Sequence, residues 1–414
     1  MSKVQFFLGA AADEPLDSVL ERSAALPAWK PFDSRATDFV ARFSQQLLTH
    51  PQVREYPELA AMAHWFRAAR LRALGAGYPA ELPDAFVRGR GLAFHLAPAN
   101  VDSVFMYSWL ISLLAGNTNI VRVSQKLSPQ LGFLIEVLAG VLRQDVGAPI
   151  AGRIVLLTYP HDASITQKIS MQCLARIVWG GDATVATIRA IPLRPTAIEI
   201  CFPDRFSVAA IEAQSILRAS DADLARLAAG FYNDAFWFAQ QACSSPRLVN
   251  WVGTGEAYQA AHTRFWDAVR QEVMRREAEN TAAMGMARLS AAFELAAGAM
   301  AHPHTTESAA GFPTLLALET PISDAIKEIH CGNGLFLEQR FDALAGLATQ
   351  LSDKEQTLAV FGFSRADICA LVDALSGRAL DRVVPIGEAL AFAPVWDGTD
   401  LFTFFTRRIS IPEA

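Results

Sequence analysis

The stretch "GLAFHLAPANVDSVFMYSWLISLLAGNTNIVRVS", residues 91–124, decides the fold class. Residues 91–98 form an apolar run of strand length. Residues 102–115 read as a buried helix, and "NIVRVS" (119–124) as a second strand. The rhythm continues with a helix over 128–143, a strand at "GRIVLLTYP" (152–160), a helix over 162–173, a strand at "ARIVWGG" (175–181) and a helix over 182–190. Strands separated by helices predict a parallel α/β sheet with both faces covered. The loops at the carboxyl ends of its strands are then the ligand side.

Upstream, residues 1–90 read as mostly helical. "RATDFVARFSQQLLTH" and "PELAAMAHWFRAARLRALG" carry apolar residues at helical spacing, the second ending in Gly75. Downstream lies a second α/β region. "TAIEICF" and "RFSVAAI" are strand-like, 212–242 helical, "RLVNWVG" a strand and 255–300 helical. "TLLALE", "LFLEQ" and "LAVFGF" are short strands. "AHPHTTESAAGFP" (301–313) reads as a surface excursion, and the aromatic-rich tail as a segment that packs back on the body.

The chain has 414 residues, 52% hydrophobic and 19% charged, enough for a large core spread over two or three domains. A net charge of -6 gives no electrostatic case for nucleic acid. "RAARLR" (67–72) and "MRRE" (274–277) read as solvated helix faces. The N-terminus lacks the long apolar region and cleavage site of a signal peptide, so a cytoplasmic protein is expected. "VFMYSWLISLLAGNTNIV" (104–121) is too interrupted to span a bilayer, so no integral membrane segment is expected. Five cysteines (173, 201, 243, 331, 369) without a C-x-x-C pair argue against a disulfide framework and zinc, and for a reducing compartment.

The residues that could carry chemistry lie at the junctions. In "FWFAQQACSSPRLVNWVG" (236–253), Cys243 sits between amides and hydroxyls at a helix end, rather than within an apolar periodic run; it is either a nucleophile or a core thiol. Asn100, in "HLAPANVD", can offer its amide to a developing oxyanion; alternatively it shapes the turn, or Asp102 caps the next helix. The strand end bearing Arg122, Ser124, Gln125 and Lys126 suits a phosphate or ribose, or is an exposed loop. Gly180 and Gly181 permit close backbone approach before a helix N-terminus; a plain turn with Asp182 as N-cap competes. His302 and His304 resemble half a metal site with no third ligand at suitable spacing, so no metal is expected. His95 and His161 read as structural or peripheral. There is no G-x-S-x-G elbow and no P-loop.

The order of these blocks resembles the aldehyde dehydrogenase superfamily, and within it the LuxC-like acyl-CoA reductase family. "HLAPANV…WLISLLAGNTNIVRVS" is similar to that family's "APxN…LLxGNxNIVK" block and "IVWGGDATVATIR" to its cofactor turn. "QQACSSPR" is similar to its nucleophile segment and "RVVPIGEALAFAPVWDG" to its C-terminal block. The resemblance implies an aldehyde-dehydrogenase-like fold with a Rossmann-type cofactor domain and an α/β catalytic domain. Residues 1–200 would hold the helical region and cofactor domain, 201–390 the catalytic domain, and 391–414 a segment packing back or at an oligomer interface.

By the same resemblance Cys243 is the nucleophile, and Asn100 the oxyanion amide acting with the backbone N–H of Cys243. Glu199 falls near the register of the base that hydrolytic relatives use, with a spacing to Cys243 that is too long. Arg122, Ser124 and Gln125 fall beside the adenosine ribose. Neutral Gln125 with Arg122 and Lys126 nearby favours NADPH over NADH. Gly181, preceded by Gly180, matches the glycine of the pyrophosphate turn, where Asp182 replaces a hydroxyl residue. Glu328 and His330 fall near the nicotinamide ribose without a settled role.

The implied reaction is NADPH-dependent reduction of a fatty acyl thioester, borne by CoA or acyl carrier protein, to an aldehyde through an acyl-Cys intermediate. An acyl-activating partner protein and a homo-oligomer are also implied. Phe105, Trp109, Phe236, Trp237 and Phe238 are candidates to line an acyl tunnel. The alternative is a non-redox subunit that transfers or holds a thioester, or a degenerate partner homologue.

Overall fold

The computed structural model describes residues 4–97, 102–303 and 311–411, with backbone alone at 102–105. Asn100 and His304 lie outside the described residues, as does the side chain of Phe105. The chain divides into two compact units, residues 1–203 with 392–414, and residues 204–391.

In the first unit, β1 is Gln5–Leu8, and β2 (Glu81–Leu82) and β3 (Ala85–Gly89) form a hairpin. The main sheet takes β4 (Leu92–Leu96), β5 (Thr118–Arg122), β6 (Ile154–Thr158), β7 (Ala175–Trp179) and β8 (Ile198–Phe202) in the order β1-β6-β5-β4-β7-β8. β4 to β8 are parallel, and β1 adds antiparallel to β6. Every residue of β4, β6 and β7 is buried, the expected state of a parallel strand covered on both faces. The chain leaves β4 toward β5 and β6, then crosses back to β7 on β4's other edge. The carboxyl ends of β4 and β7 thus flank the topological switch point.

Two expectations for residues 1–90 need correction. "QFFL" is an edge strand, because β6 presents an unpaired edge to it. The helix expected over 57–75 is two, Pro57–Trp65 and Ala68–Gly77. The chain turns extended at Arg67, and Phe66 is driven into the core against Trp65 and Tyr107.

The "AGNTN" turn is built for close packing. Gly116 has φ +98°, and an added Cβ would lie 2.3 Å from the Trp29 carbonyl oxygen. Asn117 accepts the Gly91 N–H (3.0 Å) and donates to the carbonyls of Ser112 (3.1 Å) and Phe405 (3.0 Å). Asn119 bonds the Nε2 of buried His95 at 3.1 Å, and Ser108 bonds its Nδ1 at 3.2 Å. Burial lowers the pKa of His95 to about 4.

The second unit is a seven-stranded sheet of β9 (Phe206–Glu212), β10 (Pro246–Val252), β11 (Ala301–Pro303), β12 (Thr314–Leu318), β13 (Leu335–Phe341), β14 (Glu355–Phe361) and β15 (Arg382–Pro385). Its order is β11-β12-β13-β10-β9-β14-β15, parallel except for β11. Residues 301–303, expected in a surface excursion, are therefore a strand. The helical stretch 212–242 is broken into Ala213–Arg218, Asp221–Phe236 and a short 3-10 turn at Trp237–Gln240; 255–300 is broken into Gly255–Arg275 and Ala282–Ala297. Buried Trp251, Trp266 and Phe231 centre its core.

The tail rejoins the first unit through a small hairpin, β16 (Val395–Trp396) with β17 (Thr399–Asp400), and β18 (Thr406–Ser410), which pairs antiparallel with β3. Among the described residues no helix is long and apolar enough to cross a membrane.

Candidate functional site

In the second unit Cys243 is exposed and lies between the helix Asp221–Phe236 and β10. The chain reaches it through three consecutive left-handed residues, Phe238 (φ 55°), Ala239 (φ 49°) and Gln240 (φ 63°). A non-glycine residue there costs on the order of 1 kcal/mol or more, so neighbours must hold the run in place. The Gln240 side chain is fully buried. Its amide donates to the carbonyls of Pro246 (2.8 Å) and Leu335 (2.9 Å), and its oxygen accepts the Gly334 N–H (2.9 Å).

A second left-handed run faces the first, at Gly332 (φ 68°), Asn333 (φ 59°) and Gly334 (φ 82°). The Asn333 N–H donates to the Ala239 carbonyl at 2.8 Å, and the Gln241 amide to the Cys331 carbonyl at 2.9 Å. Gly332 suits its positive φ, and an added Cβ would press on Gln241 Nε2 at 2.4 Å and on the Ala239 carbonyl oxygen at 3.1 Å. His330 holds this second turn. Its Nδ1 accepts the Gly332 N–H (3.1 Å) and its Nε2 bonds the Leu335 carbonyl (3.0 Å). Burial, with the Arg247 charge adding to it, pushes its pKa down to about 3. Both ring nitrogens of His330 are thus used within its own turn, while Glu328 is exposed.

Beyond the nucleophile position, the Cys243 carbonyl accepts the Ser207 hydroxyl at 2.6 Å. The buried Ser245 hydroxyl donates to the Asp234 carbonyl at 2.7 Å. The thiol is exposed while the backbone on both sides of it is fixed. Phe236 instead packs inward, edge-on to Phe312 and against Phe336, each at 5.8 Å.

In the first unit the cofactor candidates gather at the carboxyl edge of the sheet. Arg122 ends β5; its guanidinium lies over the Tyr159 ring at 4.9 Å and donates to the Tyr159 carbonyl at 3.2 Å. Its Nε is buried without a hydrogen-bond partner. Ser124 is half-buried, its oxygen accepting the Lys126 N–H at 3.3 Å, and Gln125 and Lys126 are exposed. Gly180 and Gly181 follow β7 at the switch point. An added Cβ at Gly181 meets nothing within 4 Å, and Asp182 is exposed at the first turn of the next helix.

Glu199, on β8, is occupied elsewhere. Its carboxylate accepts Arg176 Nε at 2.5 Å and lies 3.4 Å from Arg189 Nε. Arg176 is itself buried and further bonded to Ser170 and the Ile191 carbonyl. Trp109 is buried in the core. His302 pairs with Glu319 at 2.6 Å, and among the described residues no three His, Cys, Asp or Glu side chains gather as a metal site. Sequence reading singled out His330 ahead of "CGNG" but not the bonds that join this turn to Gln240, although the "QQ" doublet and the punctuation of "CGNG" were visible signals.

The acyl-CoA reductase (LuxC) family profile matches residues 84–277. No curated protein matches the chain. Its fold is similar to that of an NAD-dependent aldehyde dehydrogenase from Sinorhizobium meliloti, with a TM-score of 0.68 at 13% identity over 99% of this chain and 91% of that one. It is similar to the aldehyde dehydrogenase KauB from Pseudomonas aeruginosa, with a TM-score of 0.67 at 14% identity over 95% and 88%. A third similar structure is the betaine aldehyde dehydrogenase of Staphylococcus aureus, solved with NAD+, with a TM-score of 0.63 at 12% identity over 96% and 88%. Residues 84–277 thus match the acyl-CoA reductase (LuxC) family, and the fold of the chain is that of the aldehyde dehydrogenases.

Proposed function

We propose that the chain reduces a fatty acyl thioester to an aldehyde through Cys243, with NADPH as hydride donor. The observation that carries this reading is an exposed thiol on a backbone pinned before and after it. The Cys243 sulfur attacks the thioester carbonyl carbon, and the bond to CoA or a carrier thiol breaks. One thioester replaces another, so acyl transfer is nearly balanced in energy. The Asn100 amide and the Cys243 backbone N–H would carry the oxyanion of both half-reactions.

When bound, NADPH supplies the hydride that reduces the acyl carbonyl carbon. The thiohemiacetal on Cys243 then collapses, breaking the carbon–sulfur bond and releasing the aldehyde. The residues that would hold the cofactor are Gly180 and Gly181 at the switch point, where open space at Gly181 suits a pyrophosphate. Ser124 and Gln125 would meet the ribose. Exposed Lys126 and the unpartnered Nε of Arg122 suit a 2′-phosphate. Asp182 opposes phosphate and would be turned outward.

Glu199, engaged by two arginines, supports reduction over hydrolysis of the acyl-enzyme, because no free base is offered there. We further propose an acyl-activating partner and a homo-oligomer. The test is single-turnover chemistry on wild type and Cys243→Ala with a labelled long-chain acyl-CoA. Acylation located at Cys243, discharged as aldehyde by NADPH faster than by NADH, is the expected result. Acylation that neither nucleotide discharges would replace this reading with acyl transfer. No acylation from CoA or carrier-protein thioesters would overturn both.

A further inference from the structure

We propose that Gln240 is the positioning residue for Cys243, locking the nucleophile turn and the 332–334 turn into one frame; this rests on the acyl-Cys reading above. Gln240 is a costly residue for its place. It is buried and left-handed (φ 63°), a conformation that glycine adopts freely. Its side chain recovers that cost by satisfying three backbone groups, the Pro246 and Leu335 carbonyls and the Gly334 N–H, at 2.8 to 2.9 Å.

The placement of those groups matters more than their number. Pro246 opens β10 and Leu335 opens β13, neighbouring parallel strands of one sheet. The bond from Gln240 to Pro246 closes the segment that has Cys243 at its middle. The bonds to Gly334 and Leu335 tie that closed segment to the amino-terminal end of β13. The same two turns are also joined through the neighbours of Gln240, the Ala239 carbonyl accepting the Asn333 N–H and the Gln241 amide donating to the Cys331 carbonyl, but neither bond returns to Pro246, so neither closes the cysteine segment. Removing the carboxamide leaves Cys243 exposed and chemically intact and its carbonyl still held by Ser207, while releasing the turn on its amino side from β10 and β13. A misplacement of about 1 Å is enough to cost on the order of 10²-fold in rate.

The experiment compares wild type with Gln240→Gly and Gln240→Ala. Glycine removes the carboxamide and also the backbone strain, so it is the variant chosen to fold. Two rates are read at Cys243 by peptide mass spectrometry. One is alkylation by iodoacetamide, which needs only an accessible thiolate. The other is single-turnover acylation by a long-chain acyl-CoA, which also needs the carbonyl oxygen aligned.

In Gln240→Gly the acylation rate is expected to fall about 10- to 100-fold, with alkylation within about twofold of wild type. Gln240→Ala should match it in rate while melting lower. Unchanged acylation in Gln240→Gly would overturn the proposal, and so would a parallel fall of both rates. Failure of both variants to fold would also overturn it, since Gln240 would then hold the fold and not the thiol. A wild-type protein that is never acylated would instead overturn the acyl-Cys reading.

Discussion

The hydroxyl of Ser207 donates to the backbone carbonyl of Cys243 at 2.6 Å, and the same oxygen accepts the backbone N–H of Thr357 at 3.2 Å. Ser207 is fully buried, so one short side chain joins β9, the cysteine segment and β14. Ser207→Ala removes a hydrogen bond from each of two backbone groups, at a cost on the order of 1–3 kcal/mol each where water cannot reach them. The urea midpoint of the variant should fall clearly below wild type. A midpoint equal to wild type would mean that relaxation or water replaces both bonds.

Asn117 poses a sharper test, because shape and chemistry can be separated there. Its amide donates to two carbonyls and its oxygen accepts one N–H, with 1% of the residue exposed. Asn117→Ala takes the acceptor from the Gly91 N–H and one donor each from the Ser112 and Phe405 carbonyls, which keep the backbone N–H groups of residue 117 and Arg90. Asn117→Asp keeps the shape and the acceptor, but aims a carboxylate at the Ser112 and Phe405 carbonyls. We expect Asp to destabilise at least as much as Ala, by roughly 2–4 kcal/mol. Limited proteolysis should also cut the tail near Phe405 sooner in both. An Asp variant as stable as wild type would contradict the bond directions assigned to this side chain.

Asn117 also marks what could be read from residue order and what could not. The parallel sheet was legible because β4 to β7 are short, largely apolar runs separated by helix-length segments, whereas β8, in "TAIEICF", reads from sequence as part of the second region and joins the first sheet only through its pairing with β7. Cys243 stood out because its neighbours were amides and hydroxyls. The part Asn117 plays was hidden, because two of its partners, Gly91 and Phe405, lie far away in sequence. β1 was missed for a similar reason: four residues pair only because β6 offers an edge. The break at Phe66 leaves the helical periodicity intact on both sides. Gln240 was visible as one of the amides before Cys243, but its role was hidden because it depends on a left-handed backbone that no local pattern announces. Glu199 matched a family register, yet its engagement by Arg176 and Arg189 depends on where β7 and the following helix sit.

His95 and His330 together set an acid limit on stability. Burial is the main cause of both depressed values, about 4 and about 3, against an ordinary value of 6.5. Between pH 6.5 and those values the unfolded chain binds protons that the folded chain refuses. Stability is therefore lost as pH falls through that window, by up to about 1.4 kcal/mol per pH unit for each histidine, and is unaffected by them above about pH 7. Urea midpoints at about pH 7.5, 6 and 5 should decline in wild type. His95→Gln should start lower and decline less steeply. Parallel declines in the two proteins would remove His95 from the account.

The last expectation concerns Glu338, buried in the second unit beneath Trp251 and Trp266. Its Oε1 accepts both indole N–H groups, at 2.8 and 2.9 Å, and its Oε2 lies 3.0 Å from His262 Nε2. Burial alone would raise its pKa, but the bond and charge of His262 and the two indoles hold it below the ordinary 4.5. A buried acid that satisfies three donors is destabilising to remove, not merely to neutralise. Glu338→Leu should cost roughly 3–5 kcal/mol, whereas Glu338→Gln keeps one oxygen for the indoles and should cost less. Because the folded value is depressed, the advantage of wild type over Glu338→Gln is fully present above about pH 4.5. It is lost as pH falls through the folded value. The gap in urea midpoint between these two proteins should therefore hold steady from about pH 7 to pH 5 and begin to narrow only as pH falls below about 4.5. A gap that widens on acidification would show that Glu338 is already protonated in the folded protein.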